Sequence, residues 1–307
     1  MHIFIAGATG AAGRALIPHL IENGHTVTGT SRSAAKAEQI EALGATPAVM
    51  DGLDPQSVSR AIADADPDVI VHQMTALSDM KVGKIDRQFA VTNQLRTKGT
   101  QLLIDAMKPG TLLIAQSFAG WPYARTGGPI KTEEDPLDPD PPKGIRETHA
   151  AIRTLERLTT EAGGIVLRYG AFYGPGTGLA PDGDQTEMIF RRKIPIVGNG
   201  EGIWSMLHVE DLATATLAAI EHGKPGEIYN IVDDDPAPIK EWLPFLAAKL
   251  GAPPPRKVPA FVARLVAGPA AVMMMTTSRG ASNEKAKREL NWAPQHSWKE
   301  LRVPVAN

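Results

Sequence analysis

The residues Gly7-Ala8-Thr9-Gly10-Ala11-Ala12-Gly13 space three glycines as G-x-x-G-x-x-G. An apolar run, Ile3–Ala6, precedes them, and a stretch with helical periodicity, Ala11–Glu22, follows. Glycine lets the main chain approach a diphosphate closely, and the unpaired N–H groups at a helix N-terminus attract its charge. Gly13, without a side chain, lets the helix pack tightly on the first strand. The chemistry implied is dinucleotide binding, with Gly7, Thr9, Gly10, Ala11, Ala12 and Gly13 as contacts.

The second strand, Thr26–Thr30, should carry the next determinant at its end. A carboxylate there would hold the ribose 2′-hydroxyl of NAD, but the residues are Ser31, Arg32 and Ser33. Arg32 can pair with a 2′-phosphate and Ser31 can donate to it, so NADP is the expected cofactor, with NAD left open. Asp51, followed by Gly52, ends the third strand and is placed either to meet the adenine amino group or to form a turn.

These residues need a scaffold. Strand-like and helix-like segments alternate from Met1 to Arg168, including a long helix over Ile85–Met107 and another over Thr148–Glu161. Such alternation predicts an α/β fold, a doubly wound parallel (Rossmann) sheet whose strand C-termini line one ligand crevice. The expected division is a nucleotide domain over 1–170, to which 207–232 adds a helix and a strand, and an interleaved C-terminal substrate-binding lobe over 171–307. Ala260–Met275 is strongly apolar and reads as a lid over a partly hydrophobic small-molecule substrate, or as core or homodimer packing.

Bulk composition narrows the partners. The 307 residues carry a formal net charge of -2 and no cysteine. Nucleic acid and anionic membrane are not expected partners, and thiolate catalysis and cysteine-based metal sites are excluded. No histidine spacing suits a metal, and no secretory or membrane-spanning segment is evident, so the expected location is cytoplasmic. Asp233-Asp234-Asp235 reads as a solvated loop.

The order of motifs resembles the extended short-chain dehydrogenase/reductases of the NAD-dependent epimerase/dehydratase type. The matching residues are GATGAAG (Gly7–Gly13), DGLD (Asp51–Asp54), DVIVHQMTA (Asp68–Ala76), Asn93 with Gly99-Thr100, Ser117, Thr132–Pro142, LRYGAFYGPGTG (Leu167–Gly178), LHVEDLATA (Leu207–Ala215) and AKRELNWAP (Ala286–Pro294). The resemblance implies further cofactor contacts. Gln73, Met74 and Thr75 would flank the adenosine ribose and pyrophosphate, and Asn93 belongs to the same set. Ser117, Tyr169 and Gly170 would lie near the nicotinamide, although family members carry proline where this chain has Tyr169. In LHVEDLATA the family's Asp caps the following helix.

The resemblance breaks at the catalytic pair. Family members use Tyr-x-x-x-Lys on one helix face, the lysine lowering the tyrosine pKa and holding the nicotinamide ribose. Here Thr148 and Ile152 fall at those positions, and none of the four tyrosines has a lysine four residues on. Three alternatives remain as proton carrier: His149 with Arg153 at the same spacing, Tyr123 shortly after Ser117, or Tyr169. Two functions are compatible with this. One is NADP-dependent oxidation or reduction of a small carbonyl or alcohol, Ser117 polarising the oxygen and Tyr123 or His149 moving the proton. The other is a catalytically silent NADP-binding sensor or scaffold.

Overall fold

A computed structural model describes residues 1–76 and 85–300. Seven parallel strands form the central sheet: β1 (His2–Ala6), β2 (Thr26–Ser31), β3 (Thr46–Val49), β4 (Val69–His72), β5 (Leu112–Phe118), β6 (Ile165–Tyr169) and β7 (Ile228–Ile231). Their spatial order is β7-β6-β5-β4-β1-β2-β3. The order reverses between β1 and β4, and a crevice for ligand opens at such a switch point.

The inner strands are buried on both faces. Every residue of β4 and β6 is buried, as a parallel sheet covered by helices requires. On one face, α1 (Ala11–Glu22) and α9 (Val209–His222) pack through Leu16, Leu20, Leu212 and Ala219. On the other, α3 (Pro55–Ala65) contributes Val58 and Ile62 beside Phe4, Ile70 and Leu103. β7 comes from the second half of the chain and pairs with β6, Asn230 opposite Arg168.

The stretch expected as one long helix over Ile85–Met107 is interrupted. It runs as Ile85–Gln88, Ala90–Gln94, a π turn at Leu95–Gly99 and Thr100–Ala106. A π turn holds an extra residue, which rotates the following face by roughly 100°. Thr92, Leu95, Arg96, Gly99, Thr100 and Leu103 all face inward, at the spacing of one helical face. The next long helix, α7, begins two residues earlier than expected and spans Arg146–Glu161.

Within the stretch expected as the second lobe, a smaller core forms around Tyr173, Ile239, Trp242, Leu243 and Trp298, fed by α10 (Ile239–Lys249). The last seven residues of the expected lobe lie outside the described ones. The apolar stretch forms α11 (Ala260–Thr276), broken at Gly268, whose φ of 85° precedes Pro269. Its second half seats Ala270 and Met273 on Ile145, with Trp121 and Ile85 alongside. Its first half leaves Phe261, Leu265 and Val266 exposed. Among the described residues, no helix is long and apolar enough to cross a membrane.

Candidate functional site

The glycine loop has the geometry of a diphosphate cradle. Gly7 has φ 96°, and a Cβ there would stand 2.8 Å from the carbonyl oxygen of Gln73. A Cβ on Gly13 would come within 2.5 Å of the Ala8 carbonyl oxygen, so the close approach is to the loop just beyond β1 rather than to the strand. Gly10 caps α1 without any side-chain hydrogen bond. No side chain caps the first-turn N–H groups, so the loop fits a bound dinucleotide. Arg14, which sequence reasoning missed, leans back over the loop. It donates to Thr9 O at 3.3 Å and to Gly176 O at 3.4 Å, joining the first α1 turn to the Gly174–Gly178 segment.

The adenosine side lies over β2 and β3. Arg32 is exposed at the end of β2 with no ion-pair partner among the described residues. Ser31 is buried and donates to Ser33 O at 2.6 Å. Asp51 forms a turn, one oxygen accepting from Leu53 N at 3.0 Å. Gly52 has no room for a side chain, since Met74 Sδ would stand 2.3 Å from its Cβ. Thr75 is exposed, whereas Gln73 is buried and donates to the Tyr169 hydroxyl at 3.3 Å.

At the other end, the proposed proton carriers are engaged inside the protein. Ser117, 2% exposed, donates to Glu156 Oε1 at 2.6 Å. Arg168 grips Glu156 through Nε and Nη2, both at 2.7 Å, and reaches the Tyr123 hydroxyl at 3.0 Å. Tyr123 in turn donates to Asn230 Oδ1 at 2.6 Å, and burial pushes its phenol up to about 12. Tyr169 bonds Thr216 at 2.7 Å, and burial likewise raises it to about 12. His149 donates from Nε2 to Pro122 O at 2.9 Å and is 2% exposed. Arg153 is exposed, and the two line a surface groove of about 410 Å³ beside Pro139–Pro141. Spacing of four puts both beside one groove, but only Arg153 is exposed there.

Thr148 is fully buried. Its hydroxyl donates to Asp86 Oδ1 at 2.8 Å and accepts from Asn93 Nδ2 at 3.1 Å. Phe118 and Trp121, with ring centroids 5.7 Å apart, place aromatic surface at the end of β5. Gly170 continues from β6, and a Cβ there would stand 2.7 Å from Ser205 O. The carboxyl edge over β5 and β6 thus combines aromatic and aliphatic surface with hydroxyls already committed.

Two expectations in the second lobe are corrected. His208, not Asp211, caps α9, its Nδ1 accepting from Glu210 N at 3.3 Å. Asp211 is buried and receives Gln295 N at 2.9 Å and His296 N at 3.0 Å, anchoring the chain after α12 (Glu284–Leu290). Asp233 is not solvated: it is 1% exposed, and burial raises its carboxyl to about 7. The reason is that Ser297, Trp298 and Lys299 fold over this turn and bond Asp235.

The fold and this cradle define a nicotinamide-nucleotide-binding protein, and residues 3–232 match the NAD dependent epimerase/dehydratase family. The chain belongs to that family and is an NAD(P)-dependent, oxidoreductase- or epimerase-like protein. It is 40% identical over 306 residues, 98% of each chain, to a 3-diazoavenalumate denitrifying reductase of a Streptomyces species. It is 25% identical, over 82% of this chain and 74% of the other, to a 4-hydroxy-2-methyl-3-oxo-4-farnesyl-3,4-dihydroquinoline-1-oxide ketoreductase of Stigmatella aurantiaca. Among solved structures, the Thermotoga maritima UDP-glucose 4-epimerase with UDP-glucose superposes with a TM-score of 0.75 at 23% identity, covering 98% of this chain and 96% of that one. The Bacillus anthracis dTDP-glucose 4,6-dehydratase in complex with NAD gives 0.74 at 18% identity, covering 98% and 93%.

Proposed function

We propose that this chain is an NADP-dependent reductase that delivers hydride to the outer nitrogen of an aromatic diazo compound rather than to a carbonyl carbon. The observation that carries this reading is the commitment of Ser117, Tyr123, His149, Thr148 and Tyr169 to hydrogen bonds within the protein. Carbonyl reduction leaves an alkoxide, which needs an acid beside it. A diazonium ion carries the opposite charge, so hydride addition gives a neutral diazene, Ar–N=N–H. That species loses N₂ as its N–H proton is exchanged for one on the ring carbon, so that overall Ar–N₂⁺ plus hydride gives Ar–H plus N₂. No net proton is taken from the site. A site without the Tyr-x-x-x-Lys pair suits that reaction, and the denitrifying relative carries a diazo compound in its name.

The bound dinucleotide supplies the hydride. The chain's own part is positioning. The glycine loop and α1 fix the diphosphate, and Arg32 selects the 2′-phosphate. Phe118 and Trp121, both partly exposed, offer a flat aromatic substrate an apolar surface.

The test supplies purified protein with NADPH, an arene diazonium carboxylate, and a panel of ketones and aldehydes. The reading expects nicotinamide oxidation with the diazonium only, with one arene and one N₂ formed per NADPH consumed. Turnover of carbonyls without diazonium reduction, or NADPH oxidation without release of N₂, refutes it.

A further inference from the structure

Arg96 lies on the π turn and is 7% exposed. Its Cζ stands 5.5 Å from the centre of the Phe89 ring, but no carboxylate or carbonyl among the described residues accepts a hydrogen bond from it. Its Nη1 is sealed from solvent without an acceptor. Glu156 is the carboxylate whose charge acts on it. Both Glu156 oxygens are already used, Oε1 by Ser117 and Arg168, Oε2 by Arg168. Two guanidinium groups thus share one carboxylate, leaving a buried charge uncompensated. Such a charge destabilises a fold unless something arrives to solvate it.

Its location says what arrives. Leu95 O accepts a hydrogen bond from His72 Nε2, at the end of β4, at 3.3 Å. Glu156 holds Ser117, at the end of β5. Arg96 therefore stands at the carboxyl edge of β4 and β5, across the switch point from Arg32 on β2. In a doubly wound sheet the two halves of a dinucleotide lie on opposite sides of that point. On α7, Ile152 is fully buried one turn before Glu156, and it occupies the position where relatives are expected to carry a ribose-binding lysine. π turns recur at functional positions.

We propose that Arg96 binds the nicotinamide half of the dinucleotide, its free N–H groups donating to the ribose hydroxyls. The cation expected on α7 has moved to the neighbouring helical segment. This rests on the NADP reading above.

The experiment titrates NADPH and 2′,5′-ADP, which is the adenosine half alone, into wild type, Arg96→Met and Arg96→Lys, and melts each protein without ligand. Arg96→Met is expected to weaken NADPH by about 10- to 100-fold while changing 2′,5′-ADP by less than about twofold. The ligand-free variant should melt at or above the wild-type temperature, because an uncompensated charge has been removed. Arg96→Lys should recover part of the NADPH affinity. Unchanged NADPH affinity in Arg96→Met overturns the inference, as does equal weakening of both ligands or a lower ligand-free melting temperature with binding intact. Wild type binding neither nicotinamide nucleotide would instead refute the NADP reading and take this inference with it.

Discussion

Glu156 and Arg168 form a two-pronged ion pair, Nε to Oε1 and Nη2 to Oε2, both at 2.7 Å, in which neither side chain is more than 7% exposed. The pair ties α7 to β6 and, through Ser117, to β5. Removing one partner leaves the other charged and buried. Glu156→Ala is expected to destabilise the protein by about 3–5 kcal/mol, read as a lower denaturant midpoint with unchanged slope. A loss under about 1 kcal/mol would show that the pair is solvated in solution.

Asp233 gives the protein a pH dependence of its own. Burial raises its carboxyl from 3.8 to about 7, so the folded state holds the proton more tightly than the unfolded chain. The stabilisation is complete below pH 4 and is lost as pH climbs towards 7. Asp233→Asn removes that slope. The variant should gain on the order of 2–4 kcal/mol relative to wild type at pH 8 and close to nothing at pH 3.5, by denaturant titration at both values. A gain independent of pH would contradict the assignment.

Arg32→Glu should exchange the cofactor preference. Without its cation, the end of β2 is expected to lose about 10- to 100-fold in NADP affinity while NAD binds as well as before or better. Calorimetry with both nucleotides reads this directly. Equal losses for both would place Arg32 elsewhere than at the 2′-phosphate.

Gly13→Ala forces a Cβ to within 2.5 Å of the Ala8 carbonyl oxygen, a backbone atom that cannot swing aside. The loop must shift, at a stability cost of about 1–3 kcal/mol. Dinucleotide affinity should fall further than stability alone explains, because the displaced amides are the ones aimed at the diphosphate. Melting curves with and without NADPH separate the two effects.

The sheet and the glycine loop were legible because their signals are local. A short apolar run, glycines at fixed offsets and a helix start all fall between Ile3 and Glu22. The network around Glu156 was not legible. It joins Ser117, Tyr123, Arg168 and Asn230, which only the strand order brings together, so Ser117 and Tyr123 looked free to act. The partner of His149 was hidden for a related reason, since only the fold brings Pro122 O to its Nε2. Arg96 does leave a trace in the sequence: it shares a helical stripe with Thr92, Gly99 and Leu103, all buried. A charge in line with small and apolar neighbours marks an inward-facing side chain, and residue spacing alone carries that pattern.

β7 belongs to the sheet by hydrogen bonding but to the second half of the chain by sequence, and its Asn230 completes the Tyr123 hydroxyl. Exchanging the back half of this protein for that of a relative is therefore not a clean swap. A chimaera joined at residue 170 would import a foreign edge strand and a foreign partner for Tyr123. Grafts that keep 209–231 with the front half would preserve both.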